Sequence, residues 1–289
     1  MANPKFCYPN WTLPSSIYTP TLTGSGWTDL AKLQGDVLSE MARYPGVNPA
    51  NTKVVIDLAT TRAIEILALP FHNAKLGDKA RIEVATDAGF TSIALDTGFK
   101  EFFGEIYPYG TLPWGSENWL DGQMTEEQAA GRRIPWIHVA SEPVLGRYLR
   151  VSLDFSTNSD GYADLGQVIA SPALTPVYNV SYGVSVPFYR DPSVKTRSRG
   201  GVQFAEKHEK YRVCSMQLDW LGTDELYGQF FEFVREYGVS KPFFFIYDSD
   251  AATAILKKQS FMAVAEMIGD PKNRLHDTNS LPVDISETF

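Results

Sequence analysis

Trp114, Trp119 and Trp136 share one stretch of this chain with two groups of carboxylates, Glu101 with Glu105 and Asp121 with Glu126 and Glu127. Flat indole rings can stack on the apolar face of a sugar ring, and paired acids at the right separation can hydrolyse a glycosidic bond. The same residue types serve ordinary purposes. Tryptophan concentrates at subunit interfaces, and acid pairs arise by chance in a chain with 34 Asp and Glu. Of these readings an interface is preferred for the tryptophans, a sugar platform comes second, and catalysis by the acids third. The four histidines, 72, 138, 208 and 276, are scattered and show no metal spacing. His72 closes a strand before Asn73, where bonding to the backbone is its plain role, and His138 has the place of a core or edge residue. There is no G-x-S-x-G elbow and no phosphate-cradling glycine motif, so no nucleophile, metal or cofactor is expected. Asp248 and Asp250 imitate the start of a calcium loop but lack its other ligands, and read as a turn.

Strands must hold these groups. Val54, Ile56 and Leu58 alternate with Val55, Asp57 and Ala59; a turn at Thr60-Thr61-Arg62 is expected, then a second alternating run over Ile64–Leu69. Ala80–Ala85, Ile93–Leu95 and Tyr148–Phe155 continue the pattern, and a last strand falls near Leu165–Ala170. Alternation of period two marks half-buried antiparallel strands, so residues 51–170 are expected to form a β-sandwich. Residues 98–146 form an aromatic insertion broken by prolines, in which Thr125 starts a short helix over Met124–Arg133. Long insertions of this kind usually carry function or meet a partner. Residues 1–50 read as an extended, Pro-rich lead with one helix after Thr28-Asp29.

Ser171–Pro176 reads as a linker to a second domain over 177–289. There Gln203, Ala205 and Lys207 alternate, and Tyr211–Trp220 is a strand. Thr223 caps an amphipathic helix with Leu226, Phe230, Phe233, Val234 and Tyr237 on one face, ended by Gly238. Pro242–Tyr247 is a buried strand, followed by strands at Phe261–Ile268 and Leu281–Ile285. A helix on a small sheet or split barrel makes this an α+β domain. Lys195, Arg197 and Arg199 read as a solvated loop, or else as an arm that contacts a neighbouring subunit.

Composition narrows the choice. The chain has 289 residues, 44% of them hydrophobic and 21% charged, which suits one large or two ordinary globular domains. A net charge of −8 disfavours a nucleic-acid partner. No apolar run reaches a membrane span of about 18 residues or more, and the N-terminus shows no signal-peptide pattern. Two cysteines, Cys7 and Cys214, do not make a disulfide framework and show no metal spacing, and Cys214 reads as a buried free thiol.

Ile56-Asp57-Leu58, the run Leu69-Pro70-Phe71-His72-Asn73, Arg147-Tyr148-Leu149-Arg150-Val151, Gly161-Tyr162 and Leu165-Gly166 resemble the galactose-binding-like (discoidin-type) jelly roll. More narrowly they resemble tail proteins of tailed bacteriophages and prophages, with Ala59 where that pattern usually has Gly. The segment from Gly200-Gly201 to Lys241–Phe245 is similar to the ring-forming domain of distal tail proteins. The resemblance implies a structural component of a bacteriophage tail tip or baseplate rather than an enzyme. Such a protein would form a homo-oligomeric ring, a hexamer by analogy with the tail tube, and sit in the virion. Its neighbours would be the tail tube, the tape measure and the hub. The alternative it implies is a carbohydrate-binding adhesion module contacting a host surface glycan.

Overall fold

The computed structural model describes the backbone of every residue except 1, 17, 36, 109, 121, 130–133, 184 and 276, and all their side chains but those of 274 and 275. Among the described residues the chain is mainly β, with short helices. It divides into two units. One comprises Met1–Thr175 with Phe243–Phe261 and Phe289, the other Pro176–Pro242 with Met262–Thr288. This differs from the expected division, in which 1–50 stood apart and 177–289 ran on as one domain. The reason is long-range pairing, which no local pattern records.

In the first unit the lead contributes β1 (Lys5–Cys7), β2 (Thr21–Thr23) and β3 (Ala42–Tyr44). β1 pairs antiparallel with Phe243–Ile246, and Phe6 packs on Phe243 and Phe245 at ring distances of 5.9 and 5.4 Å. β4 (Lys53–Leu69), β5 (Lys79–Ala85), β6 (Ile93–Asp96), β7 (Lys100–Glu101) and β8 (Trp136–Asp154) follow, then β9 (Ala163–Leu165) and β10 (Ile169–Ser171). One sheet runs β10-β4-β8-β5-β6, with β2 added on β4 and β7 on β5; β3 and β9 make a second, smaller sheet. Val54, Ile56, Ile82 and Leu149 of the large sheet share one core with Ala42, Ala163 and Leu165 of the small one. Two antiparallel sheets over a common apolar layer are a sandwich, as the alternation predicts.

The expected turn at Thr60–Arg62 is instead an irregularity within one 17-residue strand. β8 is long enough to resume its pairing beyond it: Asp57 lies opposite Tyr148, and Arg62 opposite Gly146. Ala59, inside the bulge, has φ 65, and its N–H donates to Asp57 Oδ1 at 2.8 Å. That conformation explains why glycine suits the position. The helix expected after Thr28-Asp29 is one 3-10 stretch, Leu30–Gln34, which buries only Leu33 and lacks a side-chain cap. So little buried surface cannot hold a longer helix.

In the second unit Tyr211–Gly222 pairs with Phe188–Arg190 on one side and Thr278–Glu287 on the other, and Thr278–Glu287 also pairs with residues 263–268 and with Lys272–Leu275. The amphipathic helix is present as Thr223–Glu225, Leu226–Phe230 and Phe231–Glu236, its middle turn π. Leu226, Phe230, Phe233 and Tyr237 are buried and Gly238 follows with φ 52, whereas Thr223 is inside the helix and makes no side-chain cap. Arg212 and Glu287 form an ion pair whose side chains are 5% and 7% exposed. Lys195 and Arg197 belong to strands rather than a loop: Val194–Arg197 pairs with Gln203–Glu206. No described helix is long and apolar enough to cross a membrane.

Candidate functional site

The insertion between β7 and β8 is tied to the core at both ends. Phe102, Phe103 and Ile106 are buried where it leaves, and Met124 and Ile134 where it returns. Between these anchors Gly122 O accepts from both Ile106 N–H and Tyr107 N–H at 3.0 Å, and Gly122 N–H donates to Asn118 O at 3.0 Å. Gly122 has φ 60, and a Cβ there would stand 2.5 Å from Tyr107 O. Only glycine permits that crossing. The Asn118 amide is 8% exposed and donates to Gln123 O at 2.6 Å and to Gln128 Oε1 at 3.2 Å. Thr125 begins the short helix as expected: Gln128 N–H donates to Thr125 Oγ1 at 3.3 Å and Thr125 N–H to Gln128 Oε1 at 3.2 Å. This reciprocal cap holds the helical turn Glu126–Ala129, and residues 130–133 of the expected helix lie outside the described residues.

The loop so fixed encloses an open cleft of about 250 Å³ lined by Glu105, Tyr107, Leu112, Trp119 and Leu120. A Lys258 ammonium lies 4.7 Å from the Tyr107 ring centroid, a cation held by the ring's negative face. Leu120 is 80% exposed. Among the described residues the cleft therefore offers aromatic and aliphatic walls with the Glu105 carboxylate as an acceptor. It is smaller than the roughly 300–1,000 Å³ typical of drug-sized sites, which suits a single ring.

The three tryptophans part company here. Trp119 lines the cleft. Trp114 is 85% exposed and stands outside its lining. Trp136 is 1% exposed in the sandwich core, its Nε1–H donating to Lys100 O at 3.1 Å, so it presents no face to a glycan or a subunit. Strand alternation put Trp136 on one side of β8, but only the closed core shows that this side is covered. Glu105 reaches the cleft, whereas Glu101 lies 3.7 Å from Lys79 in an ion pair and Glu126 and Glu127 are exposed on the helical turn. Asp121, His276 and Tyr109 lie outside the described residues. Sequence reading missed Leu120 and Gly122; the glycine, inside an otherwise bulky loop, was the available signal.

The remaining candidates are structural. His72 Nε2–H donates to Ile134 O at 2.9 Å, and its Nδ1 accepts from Ala74 N–H at 3.2 Å, the backbone bonding expected of it. Burial pushes its pKa down to about 4. His138 is lowered to about 4 by burial and by Lys100, whose Nζ lies 3.1 Å from its Nδ1. Asp57 pairs with Arg147 through two contacts of 2.7 and 2.8 Å, which hold its carboxyl below the usual range. Arg150 reaches Glu83, itself 2% exposed, at 2.6 Å. The motif residues Asp57, Arg147 and Arg150 are thus sheet locks rather than ligand contacts. Asp248 Oδ1 accepts from Ala2 N–H and Asp250 N–H, which makes the turn. Cys7 and Cys214 are buried free thiols; burial raises both, Cys214 to about 12. Among the described residues no cluster of His, Cys, Asp or Glu could hold a metal.

Fold and cleft define a mainly β chain whose insertion carries a small aromatic site. No family model and no curated protein matches the sequence. Among solved structures it is similar to CBM32-1 from a family 31 glycoside hydrolase of Clostridium perfringens, at 14% identity over 56% of this chain and 99% of that one, TM-score 0.35. It is similar also to the family 32 CBM of C. perfringens NanJ in complex with galactose, at 11% identity over 58% and 98%, TM-score 0.34. A third is the CpGH89CBM32-6 module produced by the same organism, at 11% identity over 56% and 97%, TM-score 0.30. At these scores the fold stands on the strand pairings of the chain itself.

Proposed function

We propose that this chain is a carbohydrate-binding protein that holds a sugar residue in the cleft of its β7–β8 insertion and does not transform it. The observation that carries this reading is the convergence of Trp119, Tyr107 and Glu105 on one open cleft. Ring faces cover the C–H face of a pyranose while a carboxylate accepts from its hydroxyls, the division of labour expected of a small polar ligand. Glycan-array screening followed by calorimetry on the full chain tests it. Trp119→Ala and Glu105→Gln should each weaken binding about tenfold or more, close to 1.4 kcal/mol, with the thermal midpoint held. Glycan binding unchanged in both variants, or no glycan retained at all, defeats the reading. Release of reducing ends from a polysaccharide, abolished in Glu105→Gln, would favour a hydrolase instead.

A second reading draws on the second unit, where Val177, Tyr178, Tyr182, Phe188 and Phe204 are all more than half exposed. So much exposed apolar surface favours a building block of a larger assembly, and within it belongs the finer expectation of a jelly roll joined to a ring-forming domain at a phage tail tip. Incorporation into tail particles, followed by immunogold labelling, tests that placement; labelling absent from intact particles removes it.

A further inference from the structure

The tip of the β7–β8 insertion is built from turns, and one of them displays Trp114. Thr111 N–H and Oγ1–H donate to Pro108 O at 3.1 and 2.7 Å. Ser116 N–H and Oγ–H donate to Pro113 O at 3.2 and 2.8 Å, and Trp119 N–H donates to Ser116 O at 3.1 Å. Trp114 and Gly115 are thus the central pair of the Pro113–Ser116 turn. Gly115 has φ 88, the left-handed backbone that the third position of a type II turn requires. The turn fixes the backbone of Trp114 while its side chain stays 85% exposed.

Leu112 before this turn and Trp119 after it both line the cleft. The step from Leu112 to Trp114 spans at most about 7 Å of backbone, so the indole stands at the margin of the cleft, comparable with the step from one ring of a polysaccharide to the next. Leu120, which also lines the cleft, is 80% exposed. Single exposed apolar side chains are ordinary, but two of them on one hydrogen-bonded loop give the cleft an apolar margin. A ring face held on an ordered backbone is covered by a ligand without the cost of ordering a loop. The cleft itself, at about 250 Å³, takes one sugar ring. A second ring of the same glycan must therefore lie outside it, and Trp114 is the aromatic face within its reach.

We propose that Trp114 is a second sugar platform, and that the ligand of this site is an oligosaccharide of at least two rings rather than a single sugar. The inference rests on the carbohydrate reading and adds ligand length to it. Trp119, Tyr107 and Glu105 hold the first ring, and the Trp114 indole stacks on the next. Because the two rings are covalently joined, the second contact adds affinity without a second loss of translational freedom.

Calorimetry on the full chain tests it, with galactose, N-acetylglucosamine and mannose and with the linear oligosaccharides of two to four residues built from each. For the sugar that binds, the oligosaccharide should bind about tenfold tighter than the monosaccharide. Trp114→Ala should bring the oligosaccharide down to the affinity of the monosaccharide and leave the monosaccharide unchanged. Trp114→Tyr should keep most of the gain, and Trp119→Ala should weaken both ligands. The position is exposed, so the thermal midpoints of the Trp114 variants should match wild type. Equal affinity for one ring and for several, or a gain that survives Trp114→Ala, overturns the second platform and leaves the carbohydrate reading standing. Binding of no sugar in any series removes both. In sedimentation velocity, a wild-type dimer that Trp114→Ala dissolves, with oligosaccharide affinity unchanged, would assign the indole to a subunit contact instead.

Discussion

Replacing Trp136 distinguishes a core residue from a binding residue. The side chain is 1% exposed, and its Nε1–H is bonded to Lys100 O. Burying an indole removes about 200 Å² of surface from water, worth about 5 kcal/mol at roughly 25 cal/mol per Å² as an upper bound. Substitutions of this kind in cores cost about 3–5 kcal/mol, and the lost indole hydrogen bond adds about 1 kcal/mol more. Trp136→Ala should therefore lower the free energy of unfolding by about 4–6 kcal/mol. Trp136→Phe keeps most of the packing and should lose about 1–2 kcal/mol. Urea denaturation followed by tyrosine fluorescence and circular dichroism measures both. In the Phe variant, which should remain folded, glycan binding should match wild type. A loss below about 1 kcal/mol for the Ala variant, or selective loss of binding in the Phe variant, would refute the placement of this indole in the core.

Ala59 sits at φ 65, where an L residue costs about 1–2 kcal/mol, so Ala59→Gly should stabilise the chain by about 0.5–1 kcal/mol after the added freedom of glycine in the unfolded state is subtracted. A lower midpoint in chemical denaturation would count against the bulge. His72 has a folded pKa of about 4 against 6.5 for the free side chain, so the unfolded chain takes up its proton first. Its contribution is full above pH 6.5, falls as the pH drops, and is gone below about 4, a loss on the order of 3 kcal/mol. His138 acts in the same direction, since its folded value is also about 4. His72→Gln should make the acid limb of a stability–pH curve shallower; an identical slope would contradict the burial assigned to the ring. Glu287→Ala removes the carboxylate that pairs with Arg212, whose side chain is 5% exposed, and should cost about 3 kcal/mol by thermal or urea unfolding; a neutral result would show the pair to be solvated.

The local pattern of residues was enough for most strands, because alternation is a property of neighbours two apart and needs no knowledge of partners. It was enough too for the amphipathic helix ending at Gly238, for Thr125 as a cap and for His72 as a backbone clasp, each decided within a few residues. What lies on the far side of a strand is another matter. Trp119 and Trp136 look alike in sequence, and only the closing of the sandwich over β8 buried one, while the crossing at Gly122 left the other at a cleft. The membership of Phe243–Phe261 in the first unit depends on β1 finding a partner from nearly the opposite end of the chain. The bulge at Ala59 replaced a turn because β8 is as long as β4. Burial and pairing are sums over residues distant in sequence, and the tertiary structure alone performs that sum.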